Sequence, residues 1–435
     1  MTVTKEVFPI ERFVRGTTNT FAKSLTIPHG NREPKWRYEE KECKESGEYF
    51  RMTMKKTKSV FHIGIVSNHP RAVNQRTSNN AKGYGFDYHD PMKTVLVTGG
   101  AGFFGSLLKK TLAEEGHRCV SIDLERDPST LQNCTCIQGD IRDKGTMQGI
   151  FQSYRFDTIF HCAAMLAHHV KNKEALWTSN VDGTAILGEC ASRYGVPKII
   201  FLSSNCLWGK SLGRKVSEDD VPHPIEIYGK SKYEAEKILL KHTEFSSVIF
   251  RCPTIIDGGR LGLLSILFAF IEEGRRVWLV NGGGNRYQFI YAQDLIDACL
   301  RAMDYPTTEI FNIGSDDVQT LAEVYKHVID TAGTKARLGT VPGWLAIPLM
   351  QLSHMLGLSP LGPYHYKMIA EDFIFDTTKI KEKLRWNPTL SNAAMMAKAY
   401  EYYHQHRSEI EQRSGASAHR KNAKMGIIRV LKYFS

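Results

Sequence analysis

The chain has 435 residues, 42% of them hydrophobic and 24% charged, enough for one large or two moderate domains around a sizeable core. Its formal net charge of +11 sits at the ends: residues 1–91 hold 16 Lys/Arg against 10 Asp/Glu, residues 406–435 hold 7 against 2, and residues 92–405 balance at 34 against 34. The balanced middle lacks the footprint of a nucleic-acid binder, and nine cysteines scattered through apolar runs, with only Cys134 and Cys136 close together, read as reduced thiols of a cytoplasmic protein, with no disulfide frame and no metal site.

Residues 1–91 are polar and charge-mixed, with one short apolar run from Val60 to Val66 and no sustained helical or strand period, so a disordered extension is expected there. Its glutamates, its length and the lack of an apolar stretch in the first 30 residues argue against a secretory or mitochondrial leader. From Met92 the chain alternates apolar runs with amphipathic ones. Strands are expected at 94–98, 118–123, 134–138, 157–162, 198–203 and 247–252, and helices at 103–116, 144–154, 174–194 and 229–243. That alternation predicts an α/β fold, a doubly wound parallel sheet of Rossmann type over residues 92–252, with its ligand crevice at the carboxyl ends of the strands. Residues 253–405 are more mixed, with helices expected at 261–274, 292–304, 320–332, 344–355, 376–384 and 391–404, and read as a smaller, partly interleaved substrate domain. The apolar Val341–Gly362 segment is too short and too broken by Pro342, Pro348, His354 and Pro360 to span a bilayer, and is expected to be a core or lid helix.

The stretch that organises the chain is Thr94–Gly105. An apolar strand stops at Thr98, and glycines follow at 99, 102 and 105 before a helical run. Gly99 turns the chain off the strand, Gly102 leaves room for a pyrophosphate against backbone N–H groups, and Gly105 lets the helix approach the sheet. The helix start then offers unpaired N–H donors to phosphate. Asp123 ends the next strand at the distance expected of a carboxylate that binds an adenosine ribose, which favours NAD over its 2′-phosphorylated form.

A second constellation is Tyr228-Gly-Lys-Ser-Lys232 at a helix start. Tyrosine and lysine four apart share a helical face, and a nearby ammonium is expected to lower the phenol pKa and make it a usable acid/base. Tyr233 and Lys237 have the same spacing but point elsewhere, as a solvated helix face. Ser203 and Ser204 end the strand 24 residues before Tyr228, where a serine can hold the substrate oxygen.

These motifs resemble the extended short-chain dehydrogenase/reductase family, the group of NAD-dependent epimerases and dehydratases similar to UDP-glucose 4-epimerase. Thr98-Gly-Gly-Ala-Gly-Phe-Phe-Gly105 matches its first motif, and Gly139-Asp-Ile-Arg142, His161-Cys-Ala-Ala164, Asn180-Val-Asp-Gly-Thr184, Ser203-Ser-Asn-Cys-Leu-Trp-Gly209, Arg251-Cys-Pro253, Phe289-Ile-Tyr-Ala-Gln-Asp294 and Phe375 to Pro388 follow in the family's order. The resemblance implies Ser204, Tyr228 and Lys232 as catalytic residues. It implies NAD held by Gly99, Gly102, Phe103, Phe104, Gly105, Asp123, Asp140, Ile141, Ala163, Ala164, Asn180, Tyr228, Lys232 and Pro253. The implied reaction is epimerisation of a nucleotide sugar through a keto intermediate, and the implied assembly is a homodimer. Asn205 and Cys206 stand where a dehydratase of the family carries Asp-Glu, which disfavours elimination. Tyr287 and Gln288 stand where nucleotide-sugar enzymes carry Arg-Asp, with the arginine on the diphosphate. Gly282 to Tyr291 and Val341 to Leu345 partly resemble the hydroxysteroid-dehydrogenase branch, so a dehydrogenase of an apolar alcohol, such as a 3β-hydroxysteroid, is the rival enzyme. A non-catalytic dinucleotide sensor is the third reading. Arg260, Arg286 and Arg337 could still bind phosphates, with a solvated arginine the default expectation for each. The tail combines Arg420, Lys421, Lys424, Arg429 and Lys432 with Met425, Ile427, Ile428, Val430, Leu431, Tyr433 and Phe434, a composition that suits contact with an anionic membrane surface or a packing helix.

Overall fold

The computed structural model describes residues 51–56, 59–64, 92–166, 172–356 and 370–412. The chain divides into two units, Met1–Asp87 and Tyr88–Ser435. In the first, β1 (Arg51–Lys56) and β2 (Ser59–Gly64) form an antiparallel hairpin, which the irregular composition does not announce. The rest of the expected extension, and the basic tail beyond residue 412, lie outside the described residues.

In the second unit the apolar runs become β3 (Thr94–Thr98), β4 (Arg118–Asp123), β5 (Cys134–Gln138), β6 (Thr158–His161), β7 (Lys198–Ser204) and β8 (Ser246–Cys252). With β12 (Glu309–Asn312) they form one seven-stranded parallel sheet in the order β12-β8-β7-β6-β3-β4-β5. The chain starts in the middle at β3, moves outward to β5, then returns to the other side of β3. The reversal falls between β3 and β6, so the crevice opens where Thr98 and His161 pair.

Strand alternation divides the core into two faces. Val95 and Val97 of β3 and Val248 and Phe250 of β8 pack with Leu108 and Leu112 of α1 (Phe103–Glu114) and Leu295 of α7 (Ala292–Ala302). Leu96, Ile199 and Ile249 face the other way. They meet Met147 of α2 (Lys144–Ser153), Leu187 of α4 (Gly183–Arg193) and Leu239 of α5 (Ile227–Leu240). Covered on both faces, the strands can be apolar throughout.

A third core belongs to the later region. Phe268 of α6 (Leu264–Glu272) and Met395, Tyr400 and Tyr403 of α11 (Asn392–Gln405) pack with Trp208, Phe373 and Phe375. Two short parallel pairs lie here, β9 (Thr254–Ile256) with β11 (Phe289–Tyr291) and β10 (Arg276–Val280) with β13 (Arg337–Val341). Trp208 comes from just after β7, whereas β12 returns to the main sheet, so the two regions exchange elements.

Two helices differ from expectation. The run 174–194 is not continuous: α3 (Lys173–Trp177) and α4 are joined by a π-turn at Thr178–Asp182. α9 (Gly343–Met355) is not a core helix, since Trp344 and Met355 are 79% and 81% exposed, and Leu345, Leu349 and Leu352 are exposed as well. Apolar residues here follow the helix all round, so sequence pattern cannot say which are covered. Among the described residues no helix is long and apolar enough to cross a membrane.

Candidate active site

The glycine turn is fixed by sterics. Gly99 has φ 74°, the left-handed region, and its N–H donates to Ile122 O at 2.8 Å, which ties the turn to β4. A Cβ on Gly105 would stand 2.2 Å from Gly99 O, so only glycine lets α1 start this close to the strand. Gly102, the N-cap of α1, provides no side-chain cap, and the first turn carries no acidic residue. That helix end is open to an anion. Asp123 accepts from the Ala101 N–H and the Glu125 N–H, both at 3.0 Å, which places its carboxylate beside the turn. These features fit a dinucleotide: a cradle without side chains, an uncapped helix start and a carboxylate at the end of the next strand. Phe103 and Phe104 are buried against the sheet.

Asp140 is occupied by a partner that the motif does not reveal. Arg142 donates to both its carboxylate oxygens, at 2.6 to 3.0 Å, and this bidentate pair holds the Asp140 carboxyl below its usual range. Ile141 is buried and meets the helix at Gly183. Ala163 and Ala164 follow β6 at the crevice, and Pro253 is buried after β8.

A buried hydrogen-bond chain joins β3, β6 and α4. Thr98 Oγ1 lies 2.7 Å from His161 Nδ1, and His161 Nε2 lies 2.8 Å from Thr184 Oγ1, which donates to Asn180 O at 2.6 Å. Burial pushes the His161 imidazole down to about 3, with the Lys232 charge adding to the effect, so this histidine is a neutral brace. Asn180 sits in the π-turn, where π-geometry often marks function. Its amide accepts from Met165 N–H at 2.8 Å and donates to Met165 O and Ser231 Oγ, both at 3.0 Å. Ser231 Oγ donates on to Tyr228 O at 2.8 Å. Asn180 thus braces the loop after β6 and the start of α5 together.

Tyr228 is the second residue of α5, whose N-cap, Glu226, accepts from the Tyr228 and Gly229 N–H groups at 3.0 and 2.7 Å. Ser204 is close enough to the Tyr228 hydroxyl to lower its pKa, and Ser204 Oγ accepts from Cys206 N–H at 3.1 Å. Lys232, one helical turn on, is 3% exposed, with its ammonium 4.0 Å from the Phe201 ring centroid. Burial pushes its pKa down to about 8, against the opposing pull of Cys252, Glu236 and Cys162.

Here the expectation that Lys232 lowers the Tyr228 pKa needs correction. Burial is the largest influence on Tyr228 and raises its pKa, Cys206, Glu226 and Cys252 raise it further, and Ser204 lowers it. Removal of water disfavours the charged phenolate and is the largest cause of the shift. Tyr233 packs partly against the later core, while the Lys237 ammonium lies 5.1 Å from its ring centroid and is bridged to Glu234.

Asn205 Nδ2 donates to the Tyr287 hydroxyl at 2.6 Å. Gln288 is buried, donating to Ser315 O at 2.7 Å and accepting from Phe375 N–H at 2.9 Å. Both positions are thus tied into the fold. Arg286 and Arg337 are exposed as expected, but Arg260 is not: its Nε and Nη1 are buried without a hydrogen-bond partner among the described residues. The sequence offers no direct signal for Arg260 or for the bracing roles of Ser231 and Thr184. Glu226 is not of the usual N-cap residue types, so its capping of α5 carries no direct sequence signal either. No cluster among the described residues could hold a metal ion.

The family model for the NAD-dependent epimerase/dehydratase family matches residues 95–314, about half of the chain. The chain belongs to that family. An uncharacterised protein of Sinorhizobium fredii, y4nG, is 32% identical over 345 residues, covering 79% of this chain and 86% of its own. UDP-glucose 4-epimerase 2 of Oryza sativa subsp. japonica is 33% identical over 294 residues, covering 57% and 71%. The crystal structure of UDP-glucose 4-epimerase from Thermotoga maritima superposes with a TM-score of 0.60 at 25% identity, over 72% of this chain and 99% of that one. Members of this epimerase/dehydratase family are NAD-dependent enzymes, and the glycine turn and Asp123 are the elements of this member that fit the cofactor.

Proposed function

We propose that the chain is a nucleotide-sugar epimerase. The observation that carries the reading is that the fold brings Ser204, Tyr228 and buried Lys232 together at the carboxyl ends of the strands, with an amide, Asn205, rather than a carboxylate following Ser204. NAD, when bound, supplies a carbon that accepts a hydride and returns it.

The chain's own residues do the rest. Ser204 holds the sugar oxygen against Tyr228. In the cofactor-bound site, where Lys232 and the nicotinamide would supply positive charge, the Tyr228 oxygen acts as the phenolate. It takes the hydroxyl proton as hydride leaves and gives it back as hydride returns. Lys232 binds the cofactor ribose and keeps positive charge one turn from the phenol. The Asn180–Ser231 brace fixes the backbone on which Tyr228 sits. Asn205 cannot deliver a proton to a leaving hydroxyl as a carboxylic acid would, which supports epimerisation over dehydration. A dehydrogenase of an apolar alcohol is the second reading, favoured by Tyr287 and Gln288 in place of an anion-binding pair. Product analysis with a panel of nucleotide sugars and sterols separates the two. Interconverted sugars without net NADH support the epimerase, and NADH released mole for mole with an oxidised sterol supports the rival.

A further inference from the structure

One helix of the later region turns its large apolar residues toward solvent and its small ones toward the protein. Trp344, Leu345, Leu349, Leu352, Met355 and Leu356 stand exposed along α9 and its C-cap. At about 100° per residue these six fall within an arc of about 140°, one continuous stripe on the outer side of the helix. The inner side is different. Gly343, Ala346 and Ser353 are its buried residues, and the Gly343 N–H donates to Asn281 Oδ1 at 2.6 Å. A Cβ on Gly343 would stand 2.7 Å from the amide nitrogen of that same side chain, so the helix start sits too close for a larger residue. The Ser353 hydroxyl is satisfied on Leu349 O at 2.7 Å. α9 is thus tied down by its small face, and the outward stripe reverses the arrangement of a helix that faces water.

A contiguous apolar stripe on a soluble fold marks a surface that a partner covers. The chemistry of this one favours lipid over protein. From Leu338 to Leu356 there is no Asp, Glu, Lys or Arg, and Gln351 and His354 are the only exposed polar residues of the helix. A protein interface rings its apolar centre with a polar rim and about ten hydrogen bonds, for which this helix offers almost nothing. The boundary between headgroups and acyl chains asks for no such partners, and it suits a tryptophan at one end of the stripe. At 13 residues α9 is about 20 Å long, too short to cross a bilayer and long enough to lie in its surface. Charge points the same way: beyond Glu411 the chain carries six Lys/Arg and no Asp/Glu, complementary to anionic lipid. We propose that the outer face of α9 is a membrane-docking surface, seating the enzyme in the headgroup–acyl boundary of an anionic bilayer. Docking of this kind is independent of which substrate the enzyme takes.

The test is co-sedimentation of the full-length chain with phosphatidylcholine vesicles containing phosphatidylserine. The wild type is compared with a variant carrying Trp344→Ser, Leu349→Ser and Met355→Ser together. The wild type is expected to pellet with the vesicles, and the variant, its basic tail intact, to partition about tenfold or more weakly. Because the three side chains are exposed, the variant should melt no lower than the wild type and bind NAD within about twofold of it. A variant retained as tightly as the wild type would give the binding to the tail and overturn the proposal. Wild type that stays in solution overturns it as well. A wild-type dimer that the variant turns into a monomer, with neither form retained on vesicles, would assign the face to a second copy of the chain instead, and also overturns it. A second readout does not depend on how well the triple variant folds. With brominated phosphatidylcholine in the vesicles, part of the wild-type tryptophan emission should be quenched, and that quenched part should be missing from Trp344→Phe. Equal quenching of the two, or none in the wild type, would place Trp344 outside the bilayer and overturn the proposal.

Discussion

Tyr228 works through its surroundings rather than through an intrinsically acidic phenol. Ser204 lies near its hydroxyl, its backbone is held by Glu226 and Ser231, and its ordinary pKa is raised by burial. Tyr228→Phe keeps the ring and removes the proton-transfer atom, so NAD affinity should survive while kcat falls about 10²–10⁴-fold; turnover within a few-fold of wild type would refute the role. Lys232 gives a pH signature. Its folded pKa of about 8 lies below the ordinary 10.5, so the ammonium is charged below that pH and loses its proton as pH rises through it. Affinity for the anionic cofactor should therefore weaken across that pH, in fluorescence titrations of NAD. The same shift acts on stability with the opposite sign. Between about 8 and 10.5 the unfolded chain binds more protons, so this group alone makes the ligand-free fold more stable as pH rises. Lys232→Met should abolish both trends. The Tyr–Lys spacing was legible in the sequence, but the direction of the Tyr228 shift was not, because it depends on how much water the fold removes.

At the scale of elements, the start of α1 and the π-turn place the site. Gly105→Ala would drive a methyl group to within 2.2 Å of a backbone oxygen that cannot swing aside. The helix start must shift, with an expected loss of about 1–3 kcal/mol in chemical denaturation and a NAD affinity weakened at least tenfold. Unaltered binding would show that the turn does not seat the dinucleotide. The long strands and helices of the sheet were readable because each repeats its period over several residues. Strands of only three residues in the later region, such as Thr254–Ile256 and Phe289–Tyr291, offer too few repeats to read. The π-turn was hidden for another reason. Thr178–Asp182 keeps a helical apolar pattern, and the widened turn is set by Asn180 reaching Met165 and Ser231, contacts formed only after folding.

Across the whole molecule, the two sheet faces follow from alternation within apolar strands, so the sheet and its crevice could be anticipated from the sequence alone. The fate of single charges could not. Arg251 and Glu236, 15 residues apart in the chain, meet at 2.8 Å in the interior, whereas half-buried Arg260 has its Nε and Nη1 covered with no hydrogen-bond partner among the described residues. Only packing separates a satisfied arginine from an available one. The exposed apolar residues of α9 are a further case, since nothing in their spacing says which side is covered. The central claim, a hydride taken and returned within one active site, is tested most directly by labelling. A nucleotide sugar deuterated at the reacting carbon is incubated with the purified NAD-loaded chain, and product and nicotinamide absorbance are followed together. The epimer retaining its deuterium, with no net NADH, is the expected result. Accumulation of deuterated NADH in step with a released ketone would contradict it.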